Sequence, residues 1–236
     1  MKFYSLVISA LLLFSCTKKE VLVCESDTQP DSITLMPSIG LASKPDSSDV
    51  ICSIPNYTSS NFDTNGIQVG EIVNDFTLYN SSGNAFNLKE ILSSDKKPVF
   101  IMTGSYTCPV FRRKVQLLNR LILDYGSQIN FYQVYVVEPH PDVDISPYSG
   151  NVWTTTQNTS SGILYRQPTT YGERLTMIKN LTDSMQVDCE ILVDGPCNEF
   201  WLNYGEAPNR AYLIDKTGKV LIMHGWFDAP SMDASI

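Results

Sequence analysis

The sequence predicts an α/β fold: a three-layer sandwich with a mixed sheet between helices, preceded by an N-terminal β-hairpin extension. Three observations predict it. Pro98-Val99-Phe100-Ile101-Met102 is a continuous apolar run of the kind a parallel sheet buries on both faces. A polar turn and a helical repeat of Val115, Leu117, Leu118, Leu121 and Ile122 follow it. Ile129 to Val137 is then a second β-rich run, so strand, helix and strand make a βαβ unit with parallel strands. Finally, Ala211 to Ile214, the turn Asp215-Lys216-Thr217-Gly218, and Lys219 to Met223 read as a closing hairpin.

Residues 1–16 read as a leader. Lys2 supplies a small positive region, and Leu6 to Phe14 is an apolar run too short for a permanent membrane span. It ends in Leu13-Phe14-Ser15-Cys16, which resembles a bacterial lipobox with Cys16 as the lipid-modified residue. That resemblance implies a lipid anchor in a bacterial cell envelope, on the periplasmic or cell-surface side. A plain secretory signal cleaved nearby would give the same side of the membrane. Residues 17–66, rich in Ser, Asp, Pro, Thr and Asn, read as a linker-like tether. The domain proper is 67–236.

Within the domain, Val69 to Tyr79 carries strand residues. Ser81-Ser82-Gly83-Asn84 is a turn signal, and Ala85 to Leu88 returns as the second arm of a hairpin. A short helix is expected over Leu88 to Leu92. The helix after Cys108 should run to Tyr125 and stop at Gly126. Pro141 to Pro168 is polar and long for a loop in a compact domain, and reads as a cover beside the site. Leu175, Ile178, Leu181 and Met185 share one helical face. Ile191 to Asp194 is a short strand, Gly195-Pro196 opens a helix through Tyr204, and Asp228 to Ile236 leaves little room for a full closing helix.

The chain has 236 residues, 43% apolar and 18% charged, which describes a globular protein. A formal net charge of −8 with no basic run excludes a nucleic-acid partner. His140 and His224 are far apart and no paired cysteine spacing suits zinc, so no metal site is expected. The six cysteines are Cys16, Cys24, Cys52, Cys108, Cys189 and Cys197. With Cys16 lipidated, an odd number remains, which leaves at least one thiol unpaired in an oxidising compartment. Cys24 with Cys52 is the candidate structural pair, although spacing alone does not decide pairing.

Cys108 is the candidate nucleophile. It closes the polar turn after the first apolar strand, and Pro109 sits just inside the helix start. There the helix dipole and unpaired N–H groups favour a thiolate. Parallel strands bring both exits to one sheet edge, so Cys108 shares that edge with Glu138 and His140. His140 is suited to move protons near neutral pH, and Glu138 to orient it or bind a substrate amine. Ser105 and Thr107 are candidate hydrogen-bond donors to the thiolate or substrate.

The full pattern describes a thioredoxin-like fold, with Pro208 where that fold carries a cis-proline beside the nucleophile. Ser105-Tyr106-Thr107-Cys108-Pro109-Val110-Phe111 resembles the active-site segment of the iodothyronine deiodinases, in which selenocysteine or cysteine precedes two prolines and a phenylalanine. Tyr135 to His140 resembles that family's Glu-Ala-His motif, with Glu138 and His140 in register and Pro139 in place of Ala. Gly172-Glu173-Arg174 resembles its Arg-containing helix, and Arg210 to Ile214 also falls in register. Cys108 in place of selenocysteine, Val110 in place of the second proline, and the inserted loop from Pro141 are departures.

The resemblance implies thiol redox chemistry with an external thiol reductant and no resident cofactor. The substrate would be a small molecule, a thiol or a disulfide. A homodimer is also implied. Phe111 stands where a C-x-x-C motif has its second cysteine, so a resolving thiol must lie elsewhere. Strand geometry favours Cys197, on the edge of Cys108; the resemblance favours Cys189. A thiol peroxidase of peroxiredoxin type is an alternative, since Ser105 fits its hydroxyl position, though Ile101 stands where it needs proline. A non-catalytic lipoprotein that binds a partner or ligand is the other.

Overall fold

The computed structural model describes residues 33–57 and 61–236. Strands β1 (Thr77–Asn80) and β2 (Ala85–Asn87) form the leading hairpin. Asn87 then caps α1 (Leu88–Asp95) by accepting from the Glu90 N–H. Strand β3 (Val99–Gly104) is buried along its whole length. It feeds α2 (Pro109–Tyr125), which returns to β4 (Asn130–Tyr135). The insert that follows carries α3 (Thr156–Ser161), capped by Thr155. Next come α4 (Tyr171–Ser184), β5 (Glu190–Val193) and α5 (Glu199–Tyr204). The chain closes with β6 (Ala211–Ile214), β7 (Val220–His224) and α6 (Ala229–Ser235).

The seven strands lie in the order β2-β1-β5-β4-β3-β6-β7. Strands β3, β4 and β5 are parallel, while β6 is antiparallel to β3 and β7. A parallel βαβ unit followed by an antiparallel hairpin and a last helix is thioredoxin-like. Side chains alternate across the sheet, as the two-residue period of a strand requires. Phe100 and Met102 face a core with Phe111, Leu118, Ile178 and Met232. Val99 and Ile101 face a second core with Leu88, Leu92, Phe200 and Trp201. The sheet therefore has helices on both faces. Gly104 lets α2 approach β3: a Cβ there would lie 2.2 Å from the Phe111 ring.

Several expectations are corrected. The strand expected from Val69 forms its ladder only over Thr77–Asn80; upstream, Ile72 and Asn74 make isolated bridges to Lys219 and Met36. A closing helix does form, of seven residues, with Asp228 as its cap and proline in its first turn. From Ile33 onward the linker reading does not hold. Ile33 is buried, the Met36 N–H donates to Val73 O at 3.0 Å, and Val50 bridges Thr170. Cys52 is disulfide-bonded to Cys197 and not to Cys24, which lies outside the described residues, as do Cys16 and the leader. Among the described residues no peptide bond is cis, so Pro208 follows a trans bond. No helix among the described residues is long and apolar enough to cross a membrane.

Candidate active site

The register places Gly104, Tyr135 and Val193 in one row across β3, β4 and β5. All three strands exit at the same edge. Cys108, the Glu138–His140 segment and Cys197 follow those exits, while Cys189 precedes β5 and lies at the opposite edge.

Cys108 is the N-cap of α2, and its Sγ accepts from the Phe111 N–H at 3.4 Å. The helix-terminal geometry expected from the sequence is present. The thiolate is not favoured in this conformation, because Cys108 is only 1% exposed. Burial pushes the thiol up to about 11, outweighing the Phe111 and Val110 amides and the Arg112 charge that act the other way.

Glu138 is fully buried beneath the active-site turn. Its Oε2 accepts from the Thr107 N–H at 2.8 Å, and its Oε1 accepts from the Tyr135 hydroxyl in a short hydrogen bond. The same hydroxyl accepts from the Tyr106 N–H at 2.9 Å. Burial raises the Glu138 carboxyl above the usual carboxylate range, against these donors and the Arg174 charge. Gln167 of the insert holds the Glu138 backbone at both its N–H and its carbonyl, at 2.8 Å each. Glu138 thus positions the turn that carries Cys108.

His140 joins the same turn through its backbone, whose N–H donates to Thr107 Oγ1 at 3.2 Å. Its ring meets Trp153 edge-on, with centroids 4.3 Å apart, and Nδ1 lies 3.2 Å from Trp153 O. A carbonyl only accepts, so Nδ1 carries the proton and Nε2 is left as an acceptor. Burial lowers the ring to about 4, so His140 is neutral at pH 7 instead of poised near neutrality. No hydrogen bond joins it to Cys108.

Thr107 is therefore the hub: its N–H, Oγ1 and carbonyl bind Glu138, His140 and Asn158. Ser105 Oγ is buried and has no partner among the described residues. Arg210 points elsewhere. Its guanidinium donates to Phe62 O, Asn65 O and Asn65 Oδ1, and only its backbone meets the site, by pairing with Thr103. Pro208 is buried in the adjoining loop.

Neither resolving candidate sits ready beside Cys108. Cys197 is occupied by its bond to Cys52. Cys189 is free, with its thiol pushed up to about 12 by burial. It lines a groove of about 550 Å³ with Leu175, Ile178 and Lys179, and none of Cys108, Glu138 or His140 reaches that groove. Among the described residues no His, Cys, Asp or Glu cluster is arranged to hold a metal.

Sequence reasoning missed three contributors: Tyr135, Arg112 and Asn158. Tyr135 and Arg112 carry local signals, three residues before Glu138 and four after Cys108. Asn158 comes from the insert, where nothing in the sequence marks it.

Residues 60–226 match the family model for iodothyronine deiodinase. The chain belongs to the iodothyronine deiodinase family. The thyroxine 5-deiodinase of Ovis aries is 23% identical over 227 residues, which cover 91% of this chain and 73% of that protein. The type II iodothyronine deiodinase of Fundulus heteroclitus is 24% identical over 135 residues, 56% of this chain and 47% of that one. Among solved structures, the exposed lipoprotein thioredoxin of Streptococcus pneumoniae aligns with a TM-score of 0.45 at 18% identity, over 68% of this chain and 96% of that one. Cys108 and the Glu138–His140 segment both lie inside the deiodinase match, as does the insert that covers them.

Proposed function

We propose that this protein is a lipid-anchored, extracytoplasmic thiol oxidoreductase of the deiodinase type, with Cys108 as its nucleophile. One observation carries the reading: Thr107 ties the Cys108 turn to both Glu138 and His140, in a chain of the deiodinase family. The Cys52–Cys197 disulfide supports an oxidising compartment. The lipid anchor at Cys16 is part of the proposal.

For an aryl iodide, the Cys108 thiolate attacks iodine. The carbon–iodine bond breaks, the carbon takes a proton, and Cys108 becomes a sulfenyl iodide. An external thiol displaces iodide to give a mixed disulfide, and a second thiol releases Cys108 and leaves as a disulfide. Two thiols are oxidised for each aryl iodide reduced. Neutral His140, with Nδ1–H on the Trp153 carbonyl, offers Nε2 as a hydrogen-bond acceptor for the incoming thiol during this exchange. Because Cys108 is buried, the insert must move before substrate reaches it.

The test is iodide release from iodinated tyrosines and thyronines with a dithiol reductant, comparing the full chain with Cys108→Ser. Release that depends on Cys108 is the expected result. Equal release by Cys108→Ser would overturn the assignment, and Cys108-dependent peroxide turnover without iodide release would favour the peroxidase alternative.

A further inference from the structure

The insert reaches the active-site turn through one fully buried side chain, Asn158 on α3. Its Nδ2 donates to Thr107 O at 2.8 Å, and its Oδ1 accepts from Arg112 Nη2 at 2.8 Å. Arg112 in turn donates through Nη1 to Tyr106 O, and its guanidinium lies 5.9 Å over the Tyr106 ring. Arg112 and Asn158 together therefore hold both carbonyls that precede Cys108.

Arg112 also belongs to Cys108. Its backbone N–H donates to Cys108 O at 3.1 Å, which seats Arg112 one helical turn beyond the N-cap residue that carries the sulfur. Two charged groups act on the sulfur: Arg112 on α2 and Glu138 at the exit of β4. Of these, Arg112 alone is a cation. Arg112 itself feels Tyr106, Glu138 and Arg113 besides Cys108, and it also acts on His140.

We propose that Arg112 is the counter-ion of the Cys108 thiolate, and that Asn158 decides when it is available. A guanidinium has five donors in a fixed fork. With the insert closed, the fork holds the latch and the sulfur stays buried and neutral. When Asn158 withdraws, the same movement uncovers Cys108 and frees the guanidinium to face it, and the thiol proton passes to solvent. Exposure and activation of the sulfur are thereby one event, which keeps an oxidisable thiol inert until the site opens. This rests on the thiol-chemistry reading of Cys108.

The test is the pH profile of Cys108 alkylation by iodoacetamide in the full chain, read at the Cys108 peptide by mass spectrometry. Asn158→Ala should raise the rate at pH 7 by about tenfold or more and lower the titration midpoint by about one pH unit. Asn158→Asp keeps Arg112 engaged and should leave the midpoint unlowered. Adding Arg112→Met to Asn158→Ala should return the midpoint upward while the site stays accessible, and Arg112→Lys should preserve most of the lowering. An unchanged midpoint in Asn158→Ala, or the same midpoint with and without Arg112, overturns the proposal. If Asn158→Ala fails to fold by thermal melt, Arg112→Met and Arg112→Lys alone decide: equal midpoints overturn it. Cys108 that reacts in no variant sinks the thiol-enzyme reading as well, whereas reaction with unmoved midpoints sinks this inference alone.

Discussion

The Glu138 carboxylate meets the Thr107 amide at 2.8 Å, directly beneath the turn that presents Cys108. The contact joins the exits of β3 and β4, which the parallel register brings side by side.

Removing that carboxylate leaves the Thr107 N–H and the Tyr135 hydroxyl buried without an acceptor. Glu138→Ala should therefore destabilise the fold by about 1–3 kcal/mol for each orphaned group. Glu138→Gln keeps an acceptor and should cost less. Urea unfolding of the two variants checks the order; equal stability would mean that the carboxylate does not hold the turn.

His140 gives the fold an acid-sensitive contribution. The unfolded chain takes up this proton near 6.5, the folded chain only near 4. Between those values the unfolded state binds more protons, so stability is present above about pH 6.5 and is lost as pH falls towards 4. The effect amounts to about 3 kcal/mol at most. His140→Asn, whose amide can still donate to Trp153 O, should flatten this part of the stability profile, and the ring protons of the wild type should titrate near 4 by NMR.

The Cys52–Cys197 bond closes a loop with a sequence separation of 145. The double variant Cys52→Ser/Cys197→Ser should lose about 2–5 kcal/mol. Residues 33–57 should become the first site of limited proteolysis. Treating the wild type with a dithiol should bring it to the same denaturation midpoint; no change on reduction would show that this strap, residues 33–57, is held by its hydrogen bonds and seated apolar side chains without the disulfide.

Gly104 is where α2 rests on β3. Gly104→Ala drives a Cβ against the Phe111 ring, and the resulting overpacking should cost about 1–3 kcal/mol. Because Phe111 lies three residues past Cys108, this variant should also lose Cys108-dependent turnover while keeping its circular dichroism spectrum.

Much of the fold was legible because its signals are local. The apolar run of β3, the helical repeat of α2, the β-rich run of β4 and the turn at Gly218 each lie within a short window. So does the cap that starts α6, Asp228-Ala229-Pro230, which the short C-terminal remainder obscured. The strap from Ile33 was hidden by its polar composition: its few apolar residues, Ile33, Leu35 and Ile39, are enough to seat it once a groove exists to receive them.

The sequence by itself determined the strand–helix–strand frame, the place of Cys108 at the start of α2, and the edge it shares with Glu138 and His140. These follow from period, turn chemistry and the handedness of a βαβ unit, which act over neighbouring residues. Tertiary structure decided the partner of Cys52, the reach of Asn158 into the active-site turn, and the ionisation of the sulfur. The dipole that favours a thiolate is built by one helix. The burial that opposes it is built by the core that packs Cys108 with residues of β3, α2, β4, α4 and α6, and only the folded chain sets which of the two prevails.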